Sequence, residues 1–557
     1  FLNLWRYVDK SPAGGDNGIN NQKKTKINVP MEIEIFFSST PMLNEYTVLN
    51  IEIRALIDTP NTLIEIEIPN DGFEIISGST QFNEDLSSGS TATYQLEVLP
   101  TAQGQYTIAA SAKSEETDYI FGKREELYVN IGEEFSELSK SSFIPEIADT
   151  RSGAVKIEDF SEPQIQVLPD QKPQEDQEVL YFAAPGTGQI QVRGYWFYQD
   201  QGAVDRPLRG ARVEIWDADS SGDTQDGTLL DTTYTYNNGY YISANIPNSD
   251  DDGGRQDIYV KVYSTDNRSV RVTDFSSPGS LYTSVTEVQT DVSDGDVDMG
   301  SSSINDADNR MAWYIYDLIA NDAFDYLADK VSWQNLYNLQ VKWSPTNKDG
   351  TYYQPGGSIN LLDKDRWDSD VILHEYGHFV MYKIYGNYLP SAPGCSAHYW
   401  GGHFSLGCAW VEGWANFLQA AIQNDPNYVD TEDSVIDFHI NFEPPIPSAS
   451  HAEDEGAVAA SLWDIFDSAS ESWDTISNGI NGSSSNGIWS IVYNGRPADV
   501  IEFYSDWINS SNGYDSEITS IFQHHKIDPD ITRPTVTITT PTSSSTYSTG
   551  NSQLNIG

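Results

Sequence analysis

The strongest chemical signal in this 557-residue sequence is a pair of histidines four residues apart, His374 and His378. On a helix, residues four apart share one face, so both imidazoles can reach the same metal ion. Glu375 follows the first histidine and projects about 100° away from it, where it can act on a water molecule instead of binding the metal. This HExxH pattern indicates a zinc peptidase. The alternative is a helix with two ordinary, partly buried histidines.

A candidate third ligand, Glu412, follows His378 by 34 residues. Catalytic zinc takes three protein ligands and keeps one position open, and two histidines with one glutamate are a common set. Glu412 opens an apolar stretch at helical spacing that extends to Ile422, so we expect a second helix beside the first. Asn416, one turn further on, is expected to accept a hydrogen bond from a ligand histidine. A helix-surface amide is the alternative for Asn416.

The elements around these residues follow from capping signals and apolar spacing. Residues 368–385 are predicted to form the helix with the two histidines, with Asp368 or Ser369 as its N-cap and Gly386 as its terminator. Other helices are predicted at 309–329, 499–508 and 517–527, the last with His524 and His525 on its surface.

Three motifs in this order resemble those of the gluzincin metallopeptidases, most closely the fungalysin-like branch, which is distantly related to thermolysin. That branch shows HEYTH, then EGWSD, then a histidine shortly before a helix containing LW. The corresponding segments here are HEYGH at 374–378, EGWAN at 412–416 and HAEDEGAVAASLW at 451–463. The resemblance covers only about residues 300 to 530. It implies a two-lobed zincin fold, a bound zinc ion and peptide-bond hydrolysis.

Carried over residue by residue, the resemblance assigns His374, His378 and Glu412 to zinc and Glu375 to general base and acid. His451 matches the histidine that stabilises the oxyanion of the tetrahedral intermediate. The sequence departs from the family pattern at two places. Asn416 stands where the family usually has aspartate, and Glu455-Gly456 replaces Gly-Glu after His451. A plain loop histidine is therefore the alternative for His451.

A strand and a tyrosine are also expected near the site. The segment 351–362 is predicted to be the strand at the edge of the cleft, where an extended substrate can pair by backbone hydrogen bonds. A tyrosine could assist catalysis, and Tyr399 is one candidate. The other candidates are Tyr382, Tyr385 and Tyr388, and ordinary packing is the alternative for all four.

The only two cysteines, Cys395 and Cys408, bracket the loop that leads to Glu412. We expect a disulfide that clamps this loop, with two free thiols as the alternative.

The chain is strongly acidic, with a formal net charge of −52. Such a surface excludes nucleic acid as a natural partner, repels acidic membranes and fits a secreted or cell-surface protein. No apolar run near 20 residues is present, so no membrane span is predicted. The expected partners are protein or peptide substrates, with self-association or surface attachment through β modules.

One acidic loop has oxygen ligands at alternating positions, as in the first half of an EF-hand calcium loop. These candidate calcium ligands are Asp217, Asp219, Ser221 and Asp223. The twelfth position is Thr228 instead of glutamate, and Asp250, Asp251 and Asp252 could complete the site from another loop. A solvated acidic turn without calcium is the alternative.

The overall prediction is a multidomain chain with N-terminal all-β sandwich modules followed by an α+β zincin-type catalytic domain rich in helix. Period-two stretches such as MEIEIF at 31–36 indicate the first sandwich. The predicted division is an N-terminal extension (1–29), an Ig-like β-sandwich (30–132), a linker or pro-segment (133–187), a transthyretin-like β-sandwich (188–290), the zinc metallopeptidase domain (300–530) and the start of a further Ig-like module (531–557).

The function predicted from these features is a secreted or cell-surface zinc endopeptidase. A structural or adhesive surface protein with a vestigial peptidase domain is the second hypothesis. A zinc aminopeptidase is the third, but the GxMEN segment that commonly recognises a substrate amine is absent from the sequence.

Overall fold

The computed structural model describes residues 24–133, 135–140, 184–219, 224, 227–250, 253–334, 339–432, 435–443, 451–467, 469, 472–476, 487–510 and 513–528. Most of the predicted extension 1–29, most of the segment 133–187 and all of the module 531–557 lie outside these residues.

Alternating burial produces the first group of strands. In the strand that begins at Met31, the side chains of Met31, Ile33 and Ile35 are buried, whereas Glu32 and Glu34 are exposed. This period of two gives a sheet one apolar face. The strands are β1 (Lys24–Thr25), β2 (Met31–Phe37), β3 (Thr47–Ala55), β4 (Thr59–Glu67), β5 (Phe73–Ser77), β6 (Gln81–Leu86), β7 (Thr91–Pro100), β8 (Gly104–Glu115), β9 (Tyr119–Ile131) and β10 (Ser136–Ser139).

A second group of strands follows after residue 188. All six residues of the strand Ile258–Tyr263 are buried, as expected for the centre of a packed sheet. The strands are β11 (Gln189–Gln199), β12 (Asp205–Pro207), β13 (Arg212–Asp217), β14 (Thr228–Tyr234), β15 (Tyr240–Ile242), β16 (Ile246–Pro247), β17 (Ile258–Tyr263), β18 (Val270–Thr273), β19 (Thr283–Val285) and β20 (Gly295–Ile304).

The remaining elements mix helices with short strands, so the predicted fold class is confirmed: all-β first, then α+β. They are α1 (Met311–Asp317), a π-helical turn (Leu318–Ala323), α2 (Phe324–Val331), β21 (Leu339–Lys342), β22 (Tyr352–Tyr353), β23 (Ser358–Asn360), a 3₁₀ turn (Lys364–Trp367), α3 (Ser369–Ile384), a 3₁₀ turn (Cys395–Ala397), α4 (Leu406–Gln423), β24 (Asn427–Glu432), β25 (Val435–Asn441), α5 (Glu455–Phe466), α6 (Ile488–Gly495), α7 (Val500–Asn509) and α8 (Asp515–His524).

The sheets join strands that are distant in sequence. One sheet has the order β2-β3-β7-β5, and the facing sheet has the order β24-β25-β9-β8-β4-β6. A third sheet runs β1-β22-β23-β21-β18, and the second β region forms the sheets β14-β13-β17-β19 and β12-β11-β15. Strands β22, β21 and β25 therefore pair with β1, β18 and β9 of the N-terminal β regions, respectively.

Helices α3, α4 and α5 pack closely because glycine lies at both contacts. A Cβ atom at Gly377 of α3 would come within 2.9 Å of the Cα of Ala415 in α4. A Cβ at Gly413 of α4 would come within 2.6 Å of the Val458 side chain in α5. The two motif glycines therefore let these three helices approach, and the helices carry most of the candidate site.

The surface assignment of His525 is wrong. His525 is only 3% exposed, and its Nε2 lies 2.9 Å from a carboxylate oxygen of Asp464 on α5. Its neighbour His524 is partly exposed and stacks on Trp473. Contact with α5 buries His525, and local sequence gives no sign of that partner.

Candidate metal site

Helix α3 carries His374, Glu375 and His378, and all three side chains are fully buried. The apolar residues around them bury the helix on nearly every side. Helix α4 begins at an N-cap, Ser405, whose hydroxyl accepts a hydrogen bond from the backbone N–H of Cys408. The disulfide between Cys395 and Cys408 is present and ties the preceding loop to the first turn of α4. The cap and the disulfide together position Glu412.

The three predicted ligands converge. The Nε2 atoms of His374 and His378 are 3.2 Å apart, and they lie 3.4 and 3.0 Å from Oε2 of Glu412. Tetrahedral zinc with bonds of 2.0–2.1 Å separates neighbouring ligand atoms by about 3.3 Å. The triangle formed by the three donor atoms therefore fits one face of a zinc coordination sphere. A bound cation would also stabilise two imidazole nitrogens and a carboxylate at such short distances from one another.

Asn416 holds one of these imidazoles, as expected from the sequence. Its Oδ1 lies 2.7 Å from Nδ1 of His374. When the amide oxygen accepts this bond, the proton of His374 sits on Nδ1, and Nε2 keeps a lone pair directed at the candidate metal position.

Glu375 is placed next to the triangle but is not a corner of it. It is fully buried, and neither carboxylate oxygen has a hydrogen bond of normal geometry within the described part of the chain. Burial and the charge of Glu412 raise the pKa of the Glu375 carboxyl well above its usual range, and a backbone contact with Tyr353 partly offsets the increase. Burial would likewise raise the pKa of Glu412, but the charges of His378 and His398 outweigh it and hold that pKa well below its usual range.

The sequence prediction missed His398. It is fully buried, its Nε2 lies 3.7 Å from Oε2 of Glu412, and its Nδ1 lies 3.1 Å from Oε2 of Glu455. It groups with Glu412 and Glu455 and is not part of the triangle formed by the candidate ligands. The available signal in the sequence was the position of His398 inside the loop between Cys395 and Cys408.

His451 is the predicted oxyanion histidine. It is exposed on a turn before α5, where its ring is 4.4 Å from the ring of His403. Its assigned role remains a prediction from the family motif.

The candidate tyrosines have varied surroundings. The hydroxyl of Tyr385 donates to the carbonyl of Pro497 and accepts from Nε1 of Trp410, which indicates a packing role. Tyr388 is half exposed, Tyr382 packs on Tyr353, and Tyr399 packs on Phe404.

A fifth tyrosine, Tyr428, was not predicted. Its buried ring lies 6.1 Å from that of His374, and its hydroxyl has no hydrogen-bond partner among the described residues.

The predicted calcium loop receives no support. Asp217 is buried and accepts a hydrogen bond from the backbone N–H of Asp257. It belongs to none of the groups of three close metal-binding side chains in the described residues, and Ser221 and Asp223 lie outside those residues.

Residues 328–522 match the family described as mycolysin C-terminal domain. The match covers about a third of the chain and includes all the α3 and α4 site residues. No curated protein is significantly similar in sequence to this chain.

Among solved structures, a 9R-lipoxygenase from Cyanothece aligns with 24% of this chain and 18% of its own length, at 16% identity and a TM-score of 0.16. A CARDB domain from Pyrococcus furiosus aligns with 19% of this chain and 96% of its own length, at 14% identity and a TM-score of 0.15. At TM-scores this low, neither similarity carries an inference about fold or function.

No described helix is both long and apolar enough to cross a membrane. The family match and the buried His-His-Glu group agree with each other and support a zinc metallopeptidase. Residues 328–522 are therefore similar to a mycolysin C-terminal domain, and this similarity confirms the metallopeptidase resemblance predicted from the three motifs in this region.

Proposed function

We propose that this chain is a zinc-dependent endopeptidase, secreted or held at the cell surface, that hydrolyses bonds within proteins and peptides. The observation that carries this proposal is the triangle of His374, His378 and Glu412 donor atoms, with Glu375 buried beside it. A zinc ion bound there would polarise the substrate carbonyl and lower the pKa of water. The chain itself supplies the proton transfers and the orientation of the reacting groups.

Glu375 would take the proton of the attacking water and pass it to the leaving amine. Its full burial beside the triangle suits this role, because a carboxylate shielded from bulk water is a better proton acceptor than an exposed one.

His398 is placed to stabilise negative charge on the substrate carbonyl oxygen. Glu455 contacts its Nδ1 and so orients the ring, while Nε2 is directed toward the Glu412 side of the site. A donor in this role contributes roughly 3 kcal/mol to the transition state. His451 is the second candidate for the role, and it rests on the family motif alone.

The expected location follows from charge and cysteine chemistry. A disulfide persists in oxidising compartments, and both cysteines are engaged in one. A net charge of −52 keeps such a protein soluble outside the cell. The β regions at 30–132 and 188–290 would then attach the enzyme or engage its substrates.

The test compares wild-type protein with Glu375→Gln, using Glu34→Gln on the exposed face of β2 as the control. We expect one zinc per chain in all three proteins, and hydrolysis of internally quenched, N-blocked peptides that falls by about 10²–10⁴ only in Glu375→Gln. Zinc-loaded wild-type protein that cleaves neither casein nor these peptides would favour the structural alternative. Cleavage restricted to peptides with a free amino terminus would favour an aminopeptidase.

A further inference from the structure

A short N-terminal segment, residues 24–28, lies along the candidate active site. Strand β1 pairs antiparallel with β22, with Lys24 opposite Tyr353 and Thr25 opposite Tyr352. It forms the outer edge of that sheet and also contacts helix α3 and the 3₁₀ turn at Cys395–Ala397. Extended peptides commonly bind proteins by adding a strand to a sheet edge in this way.

Strand β22, which pairs with the segment, borders helix α3. The ring of Tyr353 lies 6.2 Å from that of Phe379 on α3, and the backbone of Tyr353 contacts the Glu375 carboxyl. A chain paired with β22 therefore runs beside the candidate general base.

The other end of the segment reaches the opposite wall of the site. The side-chain amide of Asn28 donates to the carbonyl oxygen of His398 at 2.7 Å, and Asn28 forms a parallel bridge with Tyr399. An extended chain covers about 13 Å between residues 24 and 28. The segment thus spans the space between the Glu375 side and the His398 side, and the chain continues at both of its ends.

Between these two contacts, Lys26 enters a buried acidic group. Its ammonium lies 3.0 Å from Oδ1 of Asp365 and 2.7 Å from Oδ2 of Asp430. Asp365, Asp368 and Asp430 place their carboxylates close together, and all three are buried. A neighbouring cation stabilises buried carboxylates, and here a lysine of the paired segment supplies one.

We propose that residues 24–28 occupy the substrate cleft as a substrate-like strand, and that Asp365, Asp368 and Asp430 form a subsite for a basic side chain of a peptide substrate. The enzyme in this form is self-blocked, and substrates with lysine or arginine at the matching position compete best. This inference rests on the proposed peptidase function and adds to it the substrate class and the blocking segment.

The first test measures peptide hydrolysis by the full chain carrying Lys26→Met or Lys26→Arg. Lys113→Met, which removes an exposed lysine paired with Glu115, is the matched control. A charged hydrogen-bonded pair contributes enough for a change of about 10-fold or more. We expect Lys26→Met to lower the apparent KM about 10-fold with little change in kcat, because a competing strand is weakened. Lys26→Arg and Lys113→Met are expected to behave like wild type.

The second test uses paired N-blocked peptides that differ only by lysine or norleucine at one position, scanned across the scissile bond. At one position of the scanned peptides, we expect the Lys26→Met enzyme to cleave the lysine peptide about 10-fold better than the norleucine peptide. The Asp430→Asn enzyme is expected to lose that preference. A free peptide of residues 24–30 should inhibit Lys26→Met competitively, and its norleucine-26 version about 10-fold more weakly. These comparisons are ratios within one protein, so a partial loss of folded protein does not mimic them.

The outcomes distinguish a failure of this inference from a failure of the proposed peptidase function. If all variants bind zinc and cleave the peptides with equal KM and no lysine preference, residues 24–28 are only a structural strand, and this inference is overturned while the peptidase stands. If neither wild type nor Lys26→Met cleaves any peptide although both hold zinc, the proposed function itself fails.

Discussion

At the scale of single residues, Asn416 stands where the fungalysin-like motif that this sequence resembles has aspartate. Its amide oxygen meets His374, but its Nδ2 has no hydrogen-bond partner within the described residues, although the side chain is fully buried. The aspartate usual at this position would accept the same proton without leaving a buried donor. The amide therefore supports the imidazole less strongly than a carboxylate would.

We predict that Asn416→Asp tightens zinc binding and Asn416→Ala weakens it. Partners of ligand histidines typically change metal affinity by about 10–100-fold, because they set ring orientation and basicity. Competition with a chelator of known zinc affinity measures both effects. Equal zinc affinities in wild type and both variants would show that Asn416 does not support the ligand.

His398 provides a second prediction at this scale. We expect His398→Ala to lower kcat by about 10²–10³, the usual result of removing one donor to the oxyanion, while zinc content stays at one per chain. His451→Ala is the paired comparison, and its exposed position predicts a small effect. Loss of kcat in His451→Ala but not in His398→Ala would support the assignment of His451 from the family motif and contradict that of His398.

The sequence predicted the residues that lie on one regular element and missed those that depend on tertiary contacts. His374, His378 and Asn416 follow from helical spacing. His398 was missed because its partner Glu455 is 57 residues away and comes from another helix. Asp368 was predicted as an N-cap and does precede α3, but its carboxylate makes no cap bond and instead accepts hydrogen bonds from Thr431.

At the scale of elements, helix positions were predicted well and helix contacts were not. The predicted helix 368–385 is observed at Ser369–Ile384, and Gly386 follows it with a φ of +85°. Period and caps are local, so they can be read from the sequence. The glycine contacts of α4 with α3 and α5 become visible only when the helices are packed.

This packing leads to a prediction for Gly413→Ala. The added methyl would overlap the Val458 side chain, and overpacking of this kind costs about 1–3 kcal/mol. Urea unfolding should show that loss, and zinc affinity should fall with it because Glu412 adjoins the contact. Gln523→Ala on the exposed face of α8 is the control, with an expected change within about 0.5 kcal/mol. A Gly413→Ala protein as stable as wild type would mean that α4 and α5 are further apart than observed.

At the scale of the whole molecule, the β regions and the peptidase region share sheets. Strand β25 pairs with β9, with Phe438 opposite Phe121. Period-two patterns predicted strands in the first sandwich. Such a pattern does not identify the strand that pairs with them, which here lies some 300 residues away along the chain. The predicted ranges 30–132, 188–290 and 300–530 remain predictions about where units begin and end.

Phe438 tests this coupling. It is 1% exposed and packs against Phe121, Trp400 and Tyr428, so it joins the sandwich to residues around the site. Phe438→Ala is predicted to cost about 3–5 kcal/mol in unfolding free energy. Phe135→Ala, at a position 70% exposed, should change it by less than about 0.5 kcal/mol. Equal stability of the two variants would show that the shared sheet does not couple the regions.

The central claim is that His374, His378 and Glu412 bind one zinc ion, and anomalous X-ray scattering at the zinc edge from crystals of the full chain tests it most directly. The account predicts one strong peak at about 2.0–2.2 Å from Nε2 of both histidines and from a carboxylate oxygen of Glu412. A zinc peak that instead lies among Asp365, Asp368 and Asp430, or no peak near the two histidines in zinc-loaded crystals, would contradict it.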